Sequence, residues 1–343
     1  MPPAQKLAVV LFSLGGPSEE AAIKPFLLNF FMDKNILQAP RPLRYFIAKW
    51  ISWSRGGGAA KKSYGYLGGA SPLLDNTSAQ ARALERVLQE SSPGARVFVS
   101  MRYWHPFAGQ TIKEVAAFQP DKIILLPLYP QFSTTTGFSS LQSWHHAAEK
   151  SKLRLPTADI CCYPAAPGFI AASAELIRAA LKEAPKKSRL LFSAHGLPEK
   201  IIRRGDPYQY QCERTVEAIV KELDLPALDW RLCYQSRVGR LRWIGPSIEE
   251  ALAEAAKDKV AVVIYPPAFV SEHVETLVEL DIEYRHRAAQ MGIPYFARVP
   301  AVGTHPKFIS ALKELVLSRA NGTECKRICP GRFNKCYEGM KND

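Results

Sequence analysis

The sequence predicts an α/β fold made of two similar halves, each built on a parallel sheet. Near-continuous apolar runs such as AVVLFSL and VAVVIY are typical of strands that are buried on both faces. They alternate with stretches of helical periodicity, for example over 78–90 and 171–182. The chain also repeats its own motifs at matching places, which indicates an internal duplication.

Three pairs of similar strings mark the two halves. LFSLGGP from Leu11 matches LFSAHGLP from Leu191, with His195 where the first copy has Gly15. DKIILLPLYPQF matches DKVAVVIYPPAF, and more weakly VFVSMRYW matches RLCYQSRV. Ligands of open parallel sheets bind beyond the carboxyl ends of the strands. We therefore expect one cleft between the halves to be faced by the residues at those ends: Arg102, His195, Gln235 and the segment 271–280.

The length and composition suit two ordinary domains. The 343 residues are 47% hydrophobic, which is enough for two apolar cores. No apolar run approaches the roughly 20 residues of a membrane span. The start MPPAQK also lacks the charged and apolar regions of a signal peptide, so we expect a cytoplasmic protein.

The formal net charge of +13 creates a positive field that attracts anions. Basic residues are densest over 41–62, where they are mixed with Tyr45, Phe46, Trp50 and Trp53. Such a mixture can stack on single-stranded nucleic acid, but no nucleic-acid module surrounds it, and we expect no such partner. An amphipathic helix at a membrane surface fits better. An ordinary solvated helix is the alternative.

A row of glutamates follows the apolar strand that ends near Phe269. Glu275, Glu279 and Glu283 are spaced i, i+4, i+8, so a helix would bring them into one line. Hard oxygen ligands in a row suit a divalent cation that sheds its waters in steps. The alternative is an ordinary acidic surface face. Placement after a strand end, beside the predicted cleft, favours the metal interpretation.

His195 stands in a turn at the end of a buried strand. A single histidine is more often structural than catalytic. A neutral imidazole can, however, ligate a transition metal or accept a proton near pH 7. Opposite a glutamate, His195 would form a site that does both.

Nine strings stand out along the chain: LFSLGGP, YLGGASPL, MRYWHPF, LLPLYPQFSTTT, LFSAHGLP, RGDPY, YQSRVG, WIGPS and ETLVELDIEY. They extend from about Val9 to about Val316. Taken together and in this order, they resemble the ferrochelatase family, whose members insert ferrous iron into a porphyrin at the end of haem synthesis.

The resemblance implies the type II chelatase fold: two Rossmann-like domains, each a four-stranded parallel sheet flanked by helices, with the porphyrin between them. We expect an N-terminal domain with a porphyrin lip at 1–165 and a C-terminal domain with the catalytic His and Glu at 166–320. A cysteine-containing extension would follow at 321–343. The implied reaction is that of a lyase, with Fe²⁺ and protoporphyrin IX as substrates and protohaem as product.

Residue roles follow from the resemblance, position by position. His195 and Glu275 would be the catalytic pair and would also contact the metal, and Glu275 would head the row with Glu279 and Glu283. The division of roles between His195 and Glu275 stays open. A second group would line the pocket or hold the porphyrin propionates: Leu14, Tyr64, Ser71, Arg102, Tyr103 and Trp243.

Leu14 bears on the choice of porphyrin. Gram-positive enzymes that metallate coproporphyrin generally carry Tyr at the matching place, and a leucine cannot coordinate a metal. The apolar string PFLLNFFMD over 25–33 also resembles the lip of protoporphyrin-type enzymes, although a core helix is its alternative. We therefore expect protoporphyrin IX, with coproporphyrin as the competing substrate.

Three of the seven cysteines lie in a polar tail, NGTECKRICPGRFNKCYEG. Clustered cysteines in a chain without an export signal suggest a metal rather than disulfides. Several ferrochelatases carry a [2Fe–2S] cluster, and the resemblance implies one here, held by Cys325, Cys329, Cys336 and one of Cys161 and Cys162. Adjacent side chains on a strand point to opposite faces, so we expect only one of that pair to be a ligand. Cys212 and Cys233 are weaker candidates, and a frayed tail with reduced thiols is the alternative.

Two other classes of protein compete with a protohaem-forming chelatase. A porphyrin or haem carrier would need no base and no acidic row, and a cobalt or nickel chelatase would not be expected to show the nine strings. The expected location is cytoplasmic, with a peripheral contact to the inner face of the cytoplasmic membrane. The oligomeric state, including a homodimer, and the entry route of iron stay open.

Overall fold

The computed structural model describes residues 6–237, 239, 241–324 and 327–340. These residues form two compact units. Of the described residues, the first unit comprises 6–129, 133–162 and 312–324, and the second comprises 130–132, 163–311 and 327–340. The domain boundaries expected after residues 165 and 320 stay predictions.

The first unit contains a four-stranded parallel sheet with the strand order β2-β1-β3-β4. All seven residues of β1 are buried. Because successive side chains of a strand point to opposite faces, both faces of this sheet are covered. The strands are β1 (Leu7–Ser13), β2 (Ala95–Met101), β3 (Lys122–Pro127) and β4 (Thr157–Asp159). A 3₁₀ turn (Glu20–Ala22) and six helices accompany them: α1 (Ile23–Phe31), α2 (Arg41–Gly56), α3 (Ala59–Gly65), α4 (Leu73–Gln89), α5 (Ala108–Phe118) and α6 (Gly137–Lys150).

The second unit repeats this plan with the strand order β6-β5-β7-β8, again parallel throughout. The strands are β5 (Ser188–His195), β6 (Asp229–Gln235), β7 (Ala261–Tyr265) and β8 (Phe296–Arg298). Its helical elements are α7 (Pro167–Glu183), α8 (Glu199–Arg203), α9 (Tyr208–Leu223), α10 (Ile248–Lys257), a π-helix (Glu275–Tyr284), α11 (Arg285–Gln290) and α13 (Tyr337–Met340). Helix α12 (Pro306–Ala320) contributes residues to both units.

The matching topology confirms the predicted fold class and the duplication. The strongest pair of repeated strings forms β1 and β5, which occupy the same interior place in their sheets. The Asp-Lys pair forms β3 and β7, and the weakest pair forms the edge strands β2 and β6. Each string therefore recurs at the same position of an equivalent sheet.

The helices expected over 78–90 and 171–182 coincide with α4 and α7, but both begin earlier than the periodicity suggested. A proline stands directly before the first residue of α4 and at the first position of α7. Proline suits a helix start, because its fixed φ is helical and its missing N–H would have no partner there. Within the described residues, no helix combines the length and the apolar character that crossing a bilayer requires.

Candidate active site

His195 is the last residue of β5 and lies at the carboxyl end of the sheet in the second unit, in register with Gln235 of β6. The following turn brings two backbones together, since the Gly196 N–H donates to the Gln235 carbonyl oxygen at 2.8 Å. A Cβ on Gly196 would lie 2.9 Å from that oxygen, so the close approach requires glycine. The LFSAHGLP string therefore fixes the position of the His195 side chain at the end of β5.

The imidazole of His195 meets the carboxylate of Glu275, the first residue of the π-helix. Nδ1 of His195 lies 3.1 Å from Oε2 of Glu275. An ionised carboxylate can only accept hydrogen bonds, so Nδ1 carries the proton of this bond. In the neutral imidazole, Nε2 is then the nitrogen with an available lone pair. The His195 side chain is 35% exposed, which leaves it accessible.

Burial and mutual attraction act in opposite directions on this pair. Burial disfavours the charged form of each group, but the attraction and the hydrogen bond between them outweigh it. As a result, the pKa of Glu275 is held far below its ordinary range, and the pKa of His195 is raised above its ordinary value. Glu275 is therefore ionised at neutral pH and stabilises a proton that His195 takes up.

A second histidine lies on the other side of the Glu275 carboxylate. Nε2 of His273 is 3.6 Å from Oε2 of Glu275, and the His273 ring packs 4.7 Å from the ring of Phe269. His273 is buried, and its Nδ1 has no hydrogen-bond partner within the described part of the chain. His273 was not among the residues predicted from the sequence, although it stands two positions before Glu275 in the segment 271–280.

The Glu279 side chain is hydrogen-bonded to residues at the end of β6. Its carboxylate accepts hydrogen bonds from Gln235 Nε2 at 3.1 Å, from Ser236 N at 2.9 Å and from Ser236 Oγ at 2.6 Å. Ser236 adopts a left-handed backbone with φ of 61° to make these contacts. Burial, together with the nearby negative charge of Glu275, raises the pKa of Glu279. Gln235 and Ser236 of the YQSRVG string thus orient this carboxylate.

The expected helical row has three different environments. Glu275 and Glu279 are engaged as described, whereas Glu283 is half-buried near the end of the π-helix. Glu272 precedes that helix and accepts hydrogen bonds from Arg298 Nη1 at 2.8 Å and from Ala301 N at 2.9 Å. The row lies on a π-helix, in which backbone hydrogen bonds join residues five apart rather than four.

Trp243 lies beside the His195 turn in the second unit. Its backbone forms an isolated antiparallel bridge with Pro198, and a Cβ on Gly196 would lie 3.5 Å from Cε3 of its ring. The indole therefore lies next to the turn that carries His195.

In the first unit, the ends of β1 and β2 bring together Leu14, Arg102 and Tyr103. The Arg102 N–H donates to the Ser13 carbonyl oxygen at 2.9 Å, and the Tyr103 N–H donates to that of Leu14 at 3.0 Å. The next residue, Gly15, has φ of 86°, which favours glycine and turns the chain away from the strand.

Tyr64 and Ser71 belong to the same unit. Tyr64 lies on α3 and is buried. The Ser71 side chain packs against Gly16, where an added Cβ would come within 2.4 Å of the Ser71 Cβ. Gly16 thus leaves space for Ser71 next to the end of β1.

Arg102 is not an open cation. Its Nε donates to Ser139 Oγ at 2.7 Å, and its Nη2 donates to Asp33 Oδ2 at 2.9 Å. Asp33 also accepts a hydrogen bond from Tyr103 Oη at 2.7 Å. Neither Asp33 nor Ser139 was predicted from the sequence, yet Asp33 is the only charged residue of the PFLLNFFMD string.

The predicted cluster ligands that the structure describes belong to both units, Cys161 and Cys162 to the first and Cys329 and Cys336 to the second. Cys329 and Cys336 share a small apolar cluster with Phe333, whereas Cys325 lies outside the described residues. Cys161 and Cys162 follow β4 rather than lying on it, and their Sγ atoms are 3.4 Å apart. The expectation that these two side chains point to opposite faces is therefore wrong, because it assumed a strand. Among the residues that the structure describes, no three His, Cys, Asp or Glu side chains form a metal-binding group.

Comparison with known proteins agrees with this geometry. The family model for ferrochelatase matches residues 6–320. The ferrochelatase of Caulobacter vibrioides is 49% identical over 342 residues, covering 97% of each chain. That of Pelagibacter ubique is 47% identical and covers 96% of this chain and 98% of its own.

Among solved structures, SirB from Bacillus subtilis with Fe³⁺ shares the fold, with a TM-score of 0.53 at 12% identity. The match covers 94% of this chain and all of SirB. With the family model spanning nearly the whole length and relatives near half identity, the chain belongs to the ferrochelatase family and is a metal chelatase.

Proposed function

We propose that this chain inserts Fe²⁺ into protoporphyrin IX and releases protohaem, the terminal step of haem biosynthesis. The observation that carries this proposal is the His195–Glu275 pair, in which an ionised carboxylate fixes the proton of the imidazole on Nδ1. A base of defined tautomer at a strand end suits a reaction in which a ring must lose protons.

The reaction exchanges two protons for one dication: each of two pyrrole nitrogens loses its proton and the four ring nitrogens bind Fe²⁺. Nε2 of His195 would accept a pyrrole proton and pass it to solvent before accepting the second. Between the two transfers His195 is an imidazolium, which the Glu275 carboxylate stabilises. The raised pKa of His195 reflects this stabilisation. Glu279 and Glu283 would supply dehydrated iron to this point, with Glu279 held in a fixed orientation by Gln235 and Ser236.

The substrate pocket would be lined by Leu14, Tyr64, Ser71, Arg102, Tyr103 and Trp243. Leu14 offers no metal ligand, which supports protoporphyrin IX over coproporphyrin. The lip proposed over residues 26–32 is half-buried along α1, with Ile23 and Phe26 in the core. Its Phe30 ring contacts the Tyr103 ring edge to face, with 4.9 Å between the ring centres, so the proposed lip packs directly on one of the proposed pocket residues.

A [2Fe–2S] cluster is part of the proposal. Cys329 and Cys336 fit such a group: both are buried, and Gln211 Nε2 donates to Cys329 Sγ at 3.1 Å. The hydrogen bond from the Cys329 thiol, with backbone N–H groups and Arg327, lowers the pKa of Cys336 to about 6, and the thiolate is the form that binds iron. When bound, the cluster supplies iron–thiolate bonds that hold the tail. The ligands would be Cys325, Cys329, Cys336 and one of Cys161 and Cys162.

We also propose a peripheral contact with an anionic membrane surface through α2. Phe46, Trp50 and Trp53 recur at helical spacing and are 69%, 67% and 69% exposed. Large aromatic side chains next to Lys49 and Arg55 are the composition of an interfacial helix. A poorly soluble substrate and product would make such a contact useful, and a cytoplasmic location on the inner membrane face agrees with it.

The test is an anaerobic assay with Fe²⁺ and either protoporphyrin IX or coproporphyrin, following loss of porphyrin fluorescence and formation of haem. A larger kcat/KM for protoporphyrin IX is expected. Binding of porphyrin without metal insertion would instead support the carrier, and a preference for coproporphyrin would support the other ferrochelatase type. Insertion of cobalt or nickel with no iron activity would point to the third class.

A further inference from the structure

We infer that Asp33 is the positioning residue of the porphyrin site: it orients Arg102 and Tyr103, so that the guanidinium meets a porphyrin carboxylate with one defined edge. The inference rests on the proposed function and adds a residue that touches the site residues rather than the substrate.

Asp33 follows the end of α1 and is 5% exposed. Its Oδ2 accepts hydrogen bonds from Arg102 Nη2 at 2.9 Å, from Tyr103 Oη at 2.7 Å and from Ser139 Oγ. Its Oδ1 accepts the Asn35 N–H at 2.8 Å. A buried carboxylate with this many donors is a fixed anchor, because loss of the carboxylate would leave several donors without an acceptor.

The contacts leave one edge of the guanidinium unused. Nε and Nη2 of Arg102 are committed to Ser139 and Asp33, whereas Nη1 donates no hydrogen bond within the described part of the chain. The Arg102 side chain is 22% exposed, and its guanidinium carbon lies 4.7 Å from the centre of the Tyr103 ring. The two N–H bonds of Nη1 are thus held in one direction and remain available to an anion.

The negative charge of Asp33 also balances the positive charge of Arg102. Burial alone would raise its pKa, but Arg102 and the hydrogen bonds lower it below the ordinary value. The Arg102 charge is consequently balanced within the protein, and the arginine acts through directed hydrogen bonds more than as a bare cation. A substrate with a neutral ester in place of the carboxylate would lose that directed interaction.

The test compares protoporphyrin IX with its dimethyl ester, in the same detergent, for the wild type, Asp33→Asn and Ser139→Ala. Asp33→Asn keeps the shape but removes the anionic acceptor. KM for the free acid should rise on the order of tenfold, the loss of about one charge-assisted hydrogen bond. KM for the ester, KM for Fe²⁺ and kcat should change less than about twofold. Ser139→Ala removes the acceptor of the Arg102 Nε hydrogen bond. It should also raise KM for the free acid, but by less than Asp33→Asn does.

Asp229→Asn is the matched control, since Asp229 is likewise the partner of a buried arginine, Arg189, in the other unit. It should lower thermal stability without affecting KM for either porphyrin.

Two results would overturn the inference. One is an equal rise of KM for the free acid and for the ester in Asp33→Asn. The other is an unchanged KM in both Asp33→Asn and Ser139→Ala while the wild type is active. If Asp33→Asn does not fold, Ser139→Ala decides. A wild type that neither binds porphyrin nor inserts iron would overturn the proposed function, and this inference with it.

Discussion

The Glu275 carboxylate accepts a hydrogen bond from Nδ1 of His195 at 3.1 Å, across two elements that are 80 residues apart in the chain. One residue ends a strand and the other begins a π-helix. Because the carboxylate is ionised, the bond decides which imidazole nitrogen can accept a proton. The pH dependence of either side chain is therefore a property of the pair, and so is the proton transfer proposed for His195.

The pair should make stability depend on pH in a defined direction. The folded pKa of His195 is raised above its ordinary value near 6.5, so its contribution is complete below that value and is lost as pH rises through the folded pKa. The free energy of unfolding of the metal-free protein should thus fall more steeply above pH 6.5 in the wild type than in Glu275→Gln. Urea unfolding at several pH values measures this.

Glu175→Gln is the control for this experiment, because Glu175 also pairs with a histidine, His305, at 3.1 Å, and its side chain is 41% exposed. This variant should keep nearly the same dependence of the unfolding free energy on pH as the wild type, since exposed ion pairs contribute little to stability. Identical slopes for the wild type and Glu275→Gln would show that the pair does not titrate as described.

Glu279→Gln should raise the Fe²⁺ concentration needed for half-maximal rate, by roughly three- to tenfold, or ~0.7–1.4 kcal/mol. The amide can keep the hydrogen bonds from Gln235 and Ser236 in part, but it removes the negative charge that iron would meet. Initial rates at varied Fe²⁺ and saturating porphyrin measure this effect. A change confined to kcat would argue against a role in iron supply.

The α2 surface should bind anionic vesicles weakly and reversibly. Trp50→Ala with Trp53→Ala should reduce co-sedimentation at low salt, whereas Leu241→Ala should not, although Leu241 is 64% exposed. Electrostatic attraction should fade near 1 M salt, where the Debye length is roughly 3 Å. No vesicle binding by the wild type at low salt would rule out the membrane contact.

The purified protein should be reddish-brown if the tail carries a [2Fe–2S] cluster. Ser at Cys325, Cys329 or Cys336 should each remove the colour and lower stability, because the metal orders the tail. Cys212→Ser and Cys233→Ser should keep it, since burial raises the pKa of both thiols and disfavours the thiolate. Single and double variants of Cys161 and Cys162 are needed, because their thiols lie within 3.4 Å of each other. Colourless protein without acid-labile sulfide, purified anaerobically with cluster assembly available, would contradict the cluster.

The fold could be predicted from the sequence because a duplication and buried strands leave local, repeated patterns, such as LFSLGGP and LFSAHGLP. It also placed His195 and Glu275 at element ends. It did not reveal that Arg102 is bound by Asp33, since the two are 69 residues apart and only folding brings them together. Nor did spacing distinguish an α-helix from the π-helix over Glu275–Tyr284, because i, i+4 patterns suit both.

The most direct test of the account is anaerobic iron insertion by His195→Ala beside the wild type, with porphyrin binding measured on the same samples. The variant should bind protoporphyrin IX as the wild type does, because only the proton acceptor or metal ligand is removed. Its turnover should fall below about a tenth of the wild-type value, a loss of more than ~1.4 kcal/mol in transition-state stabilisation. Turnover above that level, with porphyrin binding intact, would contradict the central role of His195.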